Sequence, residues 1–420
     1  MDALLVLCGA LAALGLAQAA LMLLHAWEHA RYHRSRFKAE LKTATPPATT
    51  LFVPCKGLDL QMEANLRALF EQEYPALELC FLVESPSDPA HAAVRRLQPD
   101  YPHVASRIVV TGVARDCGQK VHNLIQGALS LAADCEVIAF VDSDACPHPQ
   151  WLSRLVDRLH SGKFAVATGY RWYVPVRPTF ANRLLSAVNN TVIAVLGPHG
   201  FNLVWGGAWA TKVETFHALG LPGAWNGTVS DDLVVSRRVH AAGLKVAYEP
   251  HCLVASPALF QWSGIAEFLR RQFLMIRVYA PTWWAFGLAT AALTQSILLG
   301  LTGFSLWWLA TGGPWRYSFL ALAVYYAGMA LRAAMATRAV RPFVGAVNGE
   351  YDRVARINIF AWPLVSLVVG LSMCASAAGR SVIWRGIHYR LESAGCTRIL
   401  KRPFDGGSSL SPLDIIKRAA

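Results

Sequence analysis

Two aspartates two residues apart, Asp142 and Asp144, end the apolar run VIAFV. Carboxylates at that spacing on a strand-end turn can share one divalent ion, Mg2+ or Mn2+, which takes its remaining hard oxygen ligands from a diphosphate. By itself Asp-x-Asp is also an ordinary solvated turn, because aspartate favours turns. Here it follows a buried strand directly, and the stretch GQKVHNL upstream sets Lys120 and Asn123 at the start of a helical run. That context turns the pair into a candidate metal and donor site.

A second acidic pair, Asp231-Asp232, opens the helical run DDLVVSRRV. Capping explains aspartate at such a place, and so does a general base at the mouth of a site where a hydroxyl must lose its proton. Just before it, the segment WGGAW holds Trp205, Gly206 and Gly207. Paired glycines permit close approach of backbone to a ligand, which makes the three an acceptor-binding candidate. Trp205, Trp209 and Trp225 are equally suited to stacking on a sugar and to packing in a core. Nearer the N-terminus, LFVPCKG contains Pro54 and Lys56, and ESPSDPA contains Glu84 and Asp88. The first is a strand and its turn, and Glu84 and Asp88 end the second strand, where a nucleotide fold places base and ribose. For Asp88 the rival account is capping of a helix that begins at Pro89.

The elements that must position these residues alternate in type between 49 and 257. Strands are predicted at Thr50–Cys55, Leu77–Glu84, Arg107–Thr111, Glu136–Asp142, Phe164–Tyr170 and Leu203–Ala210. Between them, Leu60–Gln72 and Lys120–Ala133 carry apolar residues at helical spacing. Strand–helix alternation implies an α/β domain with a mostly parallel sheet and helices on both faces. Ligands of such sheets sit beyond the carboxyl ends of the strands.

Composition adds a membrane. The 420 residues are 54% hydrophobic and only 16% charged, against about 25% charged in soluble domains. The formal charge of +12 comes from Lys and Arg crowded at the ends of apolar blocks, which suits anionic headgroups and topology signals rather than nucleic acid. Ala3 to Trp27 is long enough to cross a bilayer and is followed by Arg31, Arg34, Arg36, Lys38 and Lys42. The positive-inside rule then puts the N-terminus outside and the next domain in the cytoplasm. The run IAEFLRRQFLMIRVY reads as an amphipathic interfacial helix. Apolar blocks follow at Trp283–Ala310, Trp315–Met335 and Ile357–Ala378. Arginines on both sides of the last block look cytoplasmic, so that block, with Pro363 inside it, is expected to be re-entrant or interfacial. The expected organisation is a membrane helix at 1–28, a basic linker at 29–48, a catalytic domain at 49–260, an interfacial helix at 261–282, membrane or re-entrant segments at 283–380 and a basic cytoplasmic tail at 381–420, flexible over Asp405–Pro412. Nine cysteines without CxxC spacing favour a reducing compartment over disulfides or structural zinc.

Taken in order, VPCKG, ESPSDPA, GQKVHNL, FVDSD, WGGAW and SDDL resemble the family 2-type glycosyltransferases with a GT-A fold, in their ceramide glucosyltransferase-like branch. The resemblance runs from about Thr49 to Tyr279. It implies an inverting hexosyltransferase that takes a nucleotide sugar, a UDP-sugar by this branch, and a membrane lipid hydroxyl of the ceramide, hopanoid or diacylglycerol kind. It implies that Asp88 contacts the nucleotide, that Lys120 and Asn123 form the K-x-x-N step, that Asp142 and Asp144 hold the metal, and that Asp232 is the catalytic base. Asp231 stands where the family has Glu. One motif departs: the Q/R-x-x-R-W of the interfacial helix is Arg271-Gln272-Phe273-Leu274-Met275 here, with Arg277 nearby. Arg271, Gln272 or Arg277 is expected to take over donor contacts, against an alternative in which these residues meet lipid headgroups. The rival readings are a processive polysaccharide synthase and a non-catalytic protein that kept the fold. Clustered, mutually repelling carboxylates argue against the second. No P-loop, GxSxG, HExxH or GxGxxG motif occurs.

Overall fold

The computed structural model describes residues 2–43, 45–345 and 349–403. Seven strands build the main sheet: β1 Thr49–Cys55, β2 Leu77–Val83, β3 Ala105–Val110, β4 Val137–Val141, β5 Val166–Pro175, β6 Ala208–Lys212 and β7 Val246–Ala258. Their order is β3-β2-β1-β4-β6-β5-β7. The first four are parallel, β6 is antiparallel to both β4 and β5, and β7 is parallel to β5. This is the mixed, mostly parallel sheet expected of a GT-A domain. Leu203–Ala210 is strand only from Ala208, because residues 203–207 turn toward the site. The sequence reading missed β7. It contains Pro250 and Pro257, which strands tolerate mainly at a sheet edge, and β7 is an edge strand.

The helices are α1 Asp2–Phe37, α2 Met62–Phe70, α3 Pro89–Leu97, α4 Gln119–Leu129, α5 Trp151–His160, α6 Phe180–Ile193, α7 Val213–Ala218, α8 Leu221–Trp225, α9 Asp231–Ala241, α10 Trp262–Tyr279, α11 Pro281–Thr311, α12 Trp315–Val340, α13 Glu350–Phe360 and α14 Trp362–Ala377. Alternate residues of β1 and β4 serve opposite cores, as the pleat requires. Leu51, Val53, Ala139 and Val141 pack with α2, α3 and α5. Phe52, Ile138 and Phe140 pack with α4, α7, α8 and α9. From β1 the chain winds outward through β2 and β3, then returns through α4 to β4 on the other side of β1. A crevice must open beyond the carboxyl ends of β1 and β4, where the winding reverses.

Three helical stretches, 3–37, 281–311 and 315–343, are long and apolar enough to cross a membrane. At 36 residues α1 reaches about 54 Å, well beyond a hydrocarbon core of about 30 Å. Its basic end runs on into the expected linker and docks on β7. Tyr32 donates to the Tyr248 carbonyl at 2.5 Å, and Arg36 pairs with buried Glu249 at 2.7 Å. Helices α13 and α14 meet at 84°, with Pro363 in the first turn of α14.

The stretch 381–401, expected as part of a basic tail, instead forms a three-stranded antiparallel sheet of β8 Ser381–Trp384, β9 Ile387–Ser393 and β10 Cys396–Lys401. Val382, Ile387, Tyr389 and Leu391 face inward and join the core around α4 and α9. Their period-two spacing was visible, but the interleaved arginines drew the reading toward topology. The proposed flexible stretch Asp405–Pro412 lies outside the described residues. Both ends of the α13–α14 pair therefore rest on the sheet domain: Arg183 of α6 grips Glu350 in bidentate fashion at 2.9 and 3.0 Å, and β8–β10 follow α14.

Candidate functional site

A cavity of about 440 Å³ occupies the crevice beyond β1 and β4. Pro54, Cys55 and Lys56 enter from the end of β1, and Asp142, Ser143 and Asp144 from the end of β4. Lys120 and Asn123 come from α4, Trp205 and Gly206 from the turn before β6, and Asp231 and Asp232 from the start of α9. Arg271 and Gln272 of α10 close one side. The cavity thus gathers twelve of the sixteen residues expected to form the site: Pro54, Lys56, Lys120, Asn123, Asp142, Asp144, Trp205, Gly206, Asp231, Asp232, Arg271 and Gln272. A second cavity, about 490 Å³, lies at the opposite ends of β1 and β4, near Thr45 and Glu136.

Lys120 is the electrostatic centre. Its Nζ lies 2.8 Å from Asp142 Oδ1 and 3.2 Å from Asp231 Oδ1, and it donates to the Gly206 carbonyl at 3.0 Å. Burial opposes its charge, but Asp142 and Asp231 outweigh burial and hold the ammonium above its ordinary value. Burial likewise pushes Asp142 upward, yet Lys120 and Arg171 bring it below the usual carboxylate range. For Asp144 burial wins over the opposing pull of Arg171, and the group is raised.

The two acids of α9 differ. Asp232 is half-buried on the cavity wall. Its Oδ1 accepts from Ser230 Oγ at 2.5 Å and from the Leu233 amide at 2.8 Å. Among the described residues its Oδ2 accepts only the Gly206 amide, at 2.8 Å, which leaves one lone pair on that oxygen. Asp231 is buried, and its Oδ2 has no hydrogen-bond partner among the described residues. Burial raises it to about 7, Lys120 pulling the other way and Asp232 adding to the rise. The glycines are required by this crowding. A Cβ on Gly206 would lie 2.8 Å from Lys120 Nζ, and one on Gly207 would lie 2.2 Å from Trp205 Cζ2.

Other expected residues lie beside the cavity or spend their polar groups on the fold. Glu84 is buried and pairs with Lys56 and, at 3.4 Å, with Arg402. Asp88 caps α3, accepting from the Ala90 amide, and also holds the Gly57 amide, both at 2.9 Å. It therefore shapes the turn after β1 from behind. Asn123 lines the cavity but spends its amide on the fold, taking Thr111 Oγ1 and Gln119 Nε2, each at 2.8 Å. Arg277 turns away from the cavity: it donates to the carbonyls of Ala377 and Gly379. Seven residues separate it from Arg270, which donates to the Ala378 carbonyl at 3.3 Å, so both share the helix face opposite Arg271 and Gln272. Trp209 and Trp225 are fully buried, the former stacked on Phe140 at 3.8 Å. They are core residues, whereas Trp205 faces the cavity.

Four contributors were not foreseen. Arg171 of β5 lies 3.6 Å from Asp144 Oδ2 and 4.9 Å over the Trp205 ring. Its only signal was its place in the strand segment GYRWY. Asp59 accepts from Ser143 Oγ at 2.6 Å. Trp384 and Arg385, from the turn between β8 and β9, complete the rim. They lie more than 100 residues in sequence from Lys120, Asp142 and Asp232, and only tertiary structure brings them in.

The residues present fit a divalent cation shared with a diphosphate. Among the described residues no cluster of three or more His, Cys, Asp or Glu could cage an ion. Mg2+ and similar ions, however, are commonly held by one or two carboxylates plus substrate phosphates. Asp144 Oδ1 is buried without a hydrogen-bond partner, an orphan acceptor that a cation would satisfy.

The family model described as glycosyl transferase family 21 matches residues 7–397. A ceramide glucosyltransferase of Komagataella phaffii is 32% identical over 133 residues, 30% of this chain. The match spans about a quarter of that relative's length, 26%. A mannosyltransferase from Pyrobaculum calidifontis, in complex with GDP-Man and Mn2+, superposes with a TM-score of 0.44 at 17% identity, over 86% of this chain and 99% of that one. GalNAc-T7 with UDP, GalNAc and Mn2+ superposes with a TM-score of 0.35 at 11% identity, over 53% of this chain and 48% of that one.

Proposed function

Since the chain belongs to glycosyl transferase family 21, we propose that it transfers a hexose from a UDP-sugar to the hydroxyl of a membrane lipid, of the ceramide, hopanoid or diacylglycerol kind, with inversion at the anomeric carbon. One observation carries the reading. Lys120, Asp142, Asp144, Asp231 and Asp232 share a single cavity whose far wall is apolar. That wall is made by Val192 of α6, by Leu196 just after it and by Phe268, Met275 and Ile276 of α10, and α10 leads through Ala280 straight into the membrane helix α11. An acceptor can thus reach the acids while its tail stays in lipid.

In this mechanism Asp232 is the base. Three donated hydrogen bonds keep it aimed, and the remaining lone pair on Oδ2 takes the proton from the attacking hydroxyl. Lys120 answers the negative charge that grows on the leaving diphosphate. A divalent ion held by Asp142 and Asp144 would add Lewis-acid neutralisation of the same group. Gly206 and Gly207 keep the reacting atoms close to backbone, and Trp205 offers the sugar a flat apolar face. A single displacement needs no second carboxylate as nucleophile.

The same reading orders the chain across the membrane. Helices α1, α11 and α12 cross, the N-terminus lies outside, and the sheet domain is cytoplasmic. Because both ends of α13–α14 rest on the sheet domain, that pair enters and leaves on one side as a re-entrant element. Its 16-residue α14 reaches about 24 Å, short of a full crossing.

The test incubates detergent-solubilised full-length protein with a panel of radiolabelled nucleotide sugars and a total lipid extract. Label in the organic phase is the expected result. Label in neither lipid nor free sugar, with any donor, would overturn the proposal.

A further inference from the structure

We propose that Trp384 and Arg385, on the turn between β8 and β9, clamp the diphosphate of the donor, an assignment that rests on the glycosyl transfer proposed above. The interfacial helix does not provide this clamp by itself. Leu274 is fully buried in the core and Met275 gives the cavity only an apolar wall, so neither position sends a cation or an aromatic ring into the cavity. The turn from the C-terminal sheet reaches the same wall and carries one of each.

The backbone at this turn is held at a cost. Arg385 has φ +51°, in the left-handed region, next to Gly386 at φ +76°. A two-residue hairpin of this form favours Asn-Gly or Gly-Gly, and a residue with a Cβ costs roughly 1 kcal/mol there. An arginine in that place is best explained by what its side chain reaches. Its Nη2 lies 2.5 Å from Asp59 Oδ1, and Asp59 Oδ2 accepts from Ser143 Oγ at 2.6 Å. Ser143 is the middle residue of the Asp142-Ser143-Asp144 turn. One carboxylate thus fixes the guanidinium against the candidate metal site, and the rest of its donor fork remains for the cavity. Such a planar fork matches phosphate oxygens in bidentate fashion.

Trp384 joins the turn to α10. Its ring lies 5.9 Å from the Arg271 guanidinium, which also faces the Phe268 ring at 5.4 Å and donates to the Ile383 carbonyl at 2.8 Å. The sheet is anchored at the other end of the cavity, where Tyr389 Oη accepts from the Gln119 amide at 3.2 Å. The turn is therefore fixed from two sides before a donor arrives.

The experiment measures binding of UDP and of uridine, with Mn2+ present, to full-length protein in detergent, for the wild type, R385A, R385K and W384A. Uridine lacks the diphosphate. The clamp predicts that R385A loses 10- to 100-fold in UDP affinity while uridine affinity changes less than 2-fold, and that R385K loses less than R385A. W384A should raise the donor KM more than it lowers kcat. Equal loss of UDP and uridine affinity, or unchanged UDP affinity in R385A, would overturn the clamp while leaving the wider function standing. If R385A does not fold, UDP affinity in R385K equal to that of the wild type overturns it as well. Wild-type protein that binds no UDP sinks the wider function, and the clamp with it.

Discussion

Lys120 Nζ lies 2.8 Å from Asp142 Oδ1, so a single cation at the start of α4 neutralises the acid that ends β4. The same ammonium also reaches Asp231 at 3.2 Å. Its removal leaves buried Asp231 and half-buried Asp142 facing each other without a counter-charge, and breaking a fully buried pair costs about 3–5 kcal/mol, an upper bound for this one. K120M should therefore lower the unfolding midpoint and abolish transfer. Thermal unfolding in detergent checks the first effect, and an unchanged midpoint would show that the pair is better solvated than its burial implies.

Asp232 is expected to act in the chemical step alone. D232N keeps the side chain's size and an oxygen for the Gly206 amide, but loses the basic lone pair. Transfer should fall by about 10²–10⁴-fold, the usual range for a general base, with UDP affinity within a factor of two of the wild type. Rapid-quench measurement of a single turnover separates this from slow product release. A D232N protein that turns over normally would move the role to Asp231.

Asp231 gives the pH dependence. Burial raises its carboxyl to about 7, from an ordinary value near 4. Between those values the folded protein holds a proton that the unfolded chain has released, so stability falls as pH rises from about 4 to 7 and is level above. D231N has no such group. Its stability relative to the wild type should rise by up to about 2–3 kcal/mol between pH 5 and pH 7, on top of any constant offset from the lost contact with Lys120. Unfolding midpoints across that range provide the measurement, and a flat difference would mean that Asp231 stays ionised throughout.

The acids of the site were legible because their signal is local. An apolar strand that stops at Asp142 announces a strand end, and a doublet such as Asp231-Asp232 before an amphipathic run announces a helix start. The strands β1 to β4 were equally readable from their apolar runs. Arg171 was not, since a charged residue inside GYRWY looks like an outward position until β5 is seen to run past Asp144. Nor were Trp384 and Arg385, because the small sheet that carries them was masked by the arginines between its inward residues. The face of α10 could not be chosen between Arg271 and Arg277 without knowing that α14 ends against one side of it.

Metal dependence has a sharp expected form. Chelation with EDTA should stop transfer, and Mn2+ or Mg2+ should restore it. D144N removes one of the two carboxylates but leaves the partner of Lys120 in place. In D144N the added ion should no longer strengthen UDP binding, while uridine binding stays as it was. Titration calorimetry with and without the ion reads both. An ion effect that survives in D144N would remove Asp144 from the metal site.

Gly207 offers the strictest steric test. A Cβ there would lie 2.2 Å from Trp205 Cζ2 and 2.8 Å from Asp142 Oδ2, closer than atoms can approach. Trp205 is itself wedged, with Tyr170 at 5.6 Å and Arg171 over its ring, so it cannot yield without disturbing the contact between Arg171 and Asp144. The strain should therefore be passed to the acids of the site rather than to the core, because Trp209 behind the turn is fully buried and stacked on Phe140. G207A should fold, with an unfolding midpoint within a few degrees of the wild type, and lose at least 10-fold in transfer. Transfer at the wild-type rate would mean that the turn before β6 relaxes freely, and that Trp205 does not set the shape of the sugar pocket.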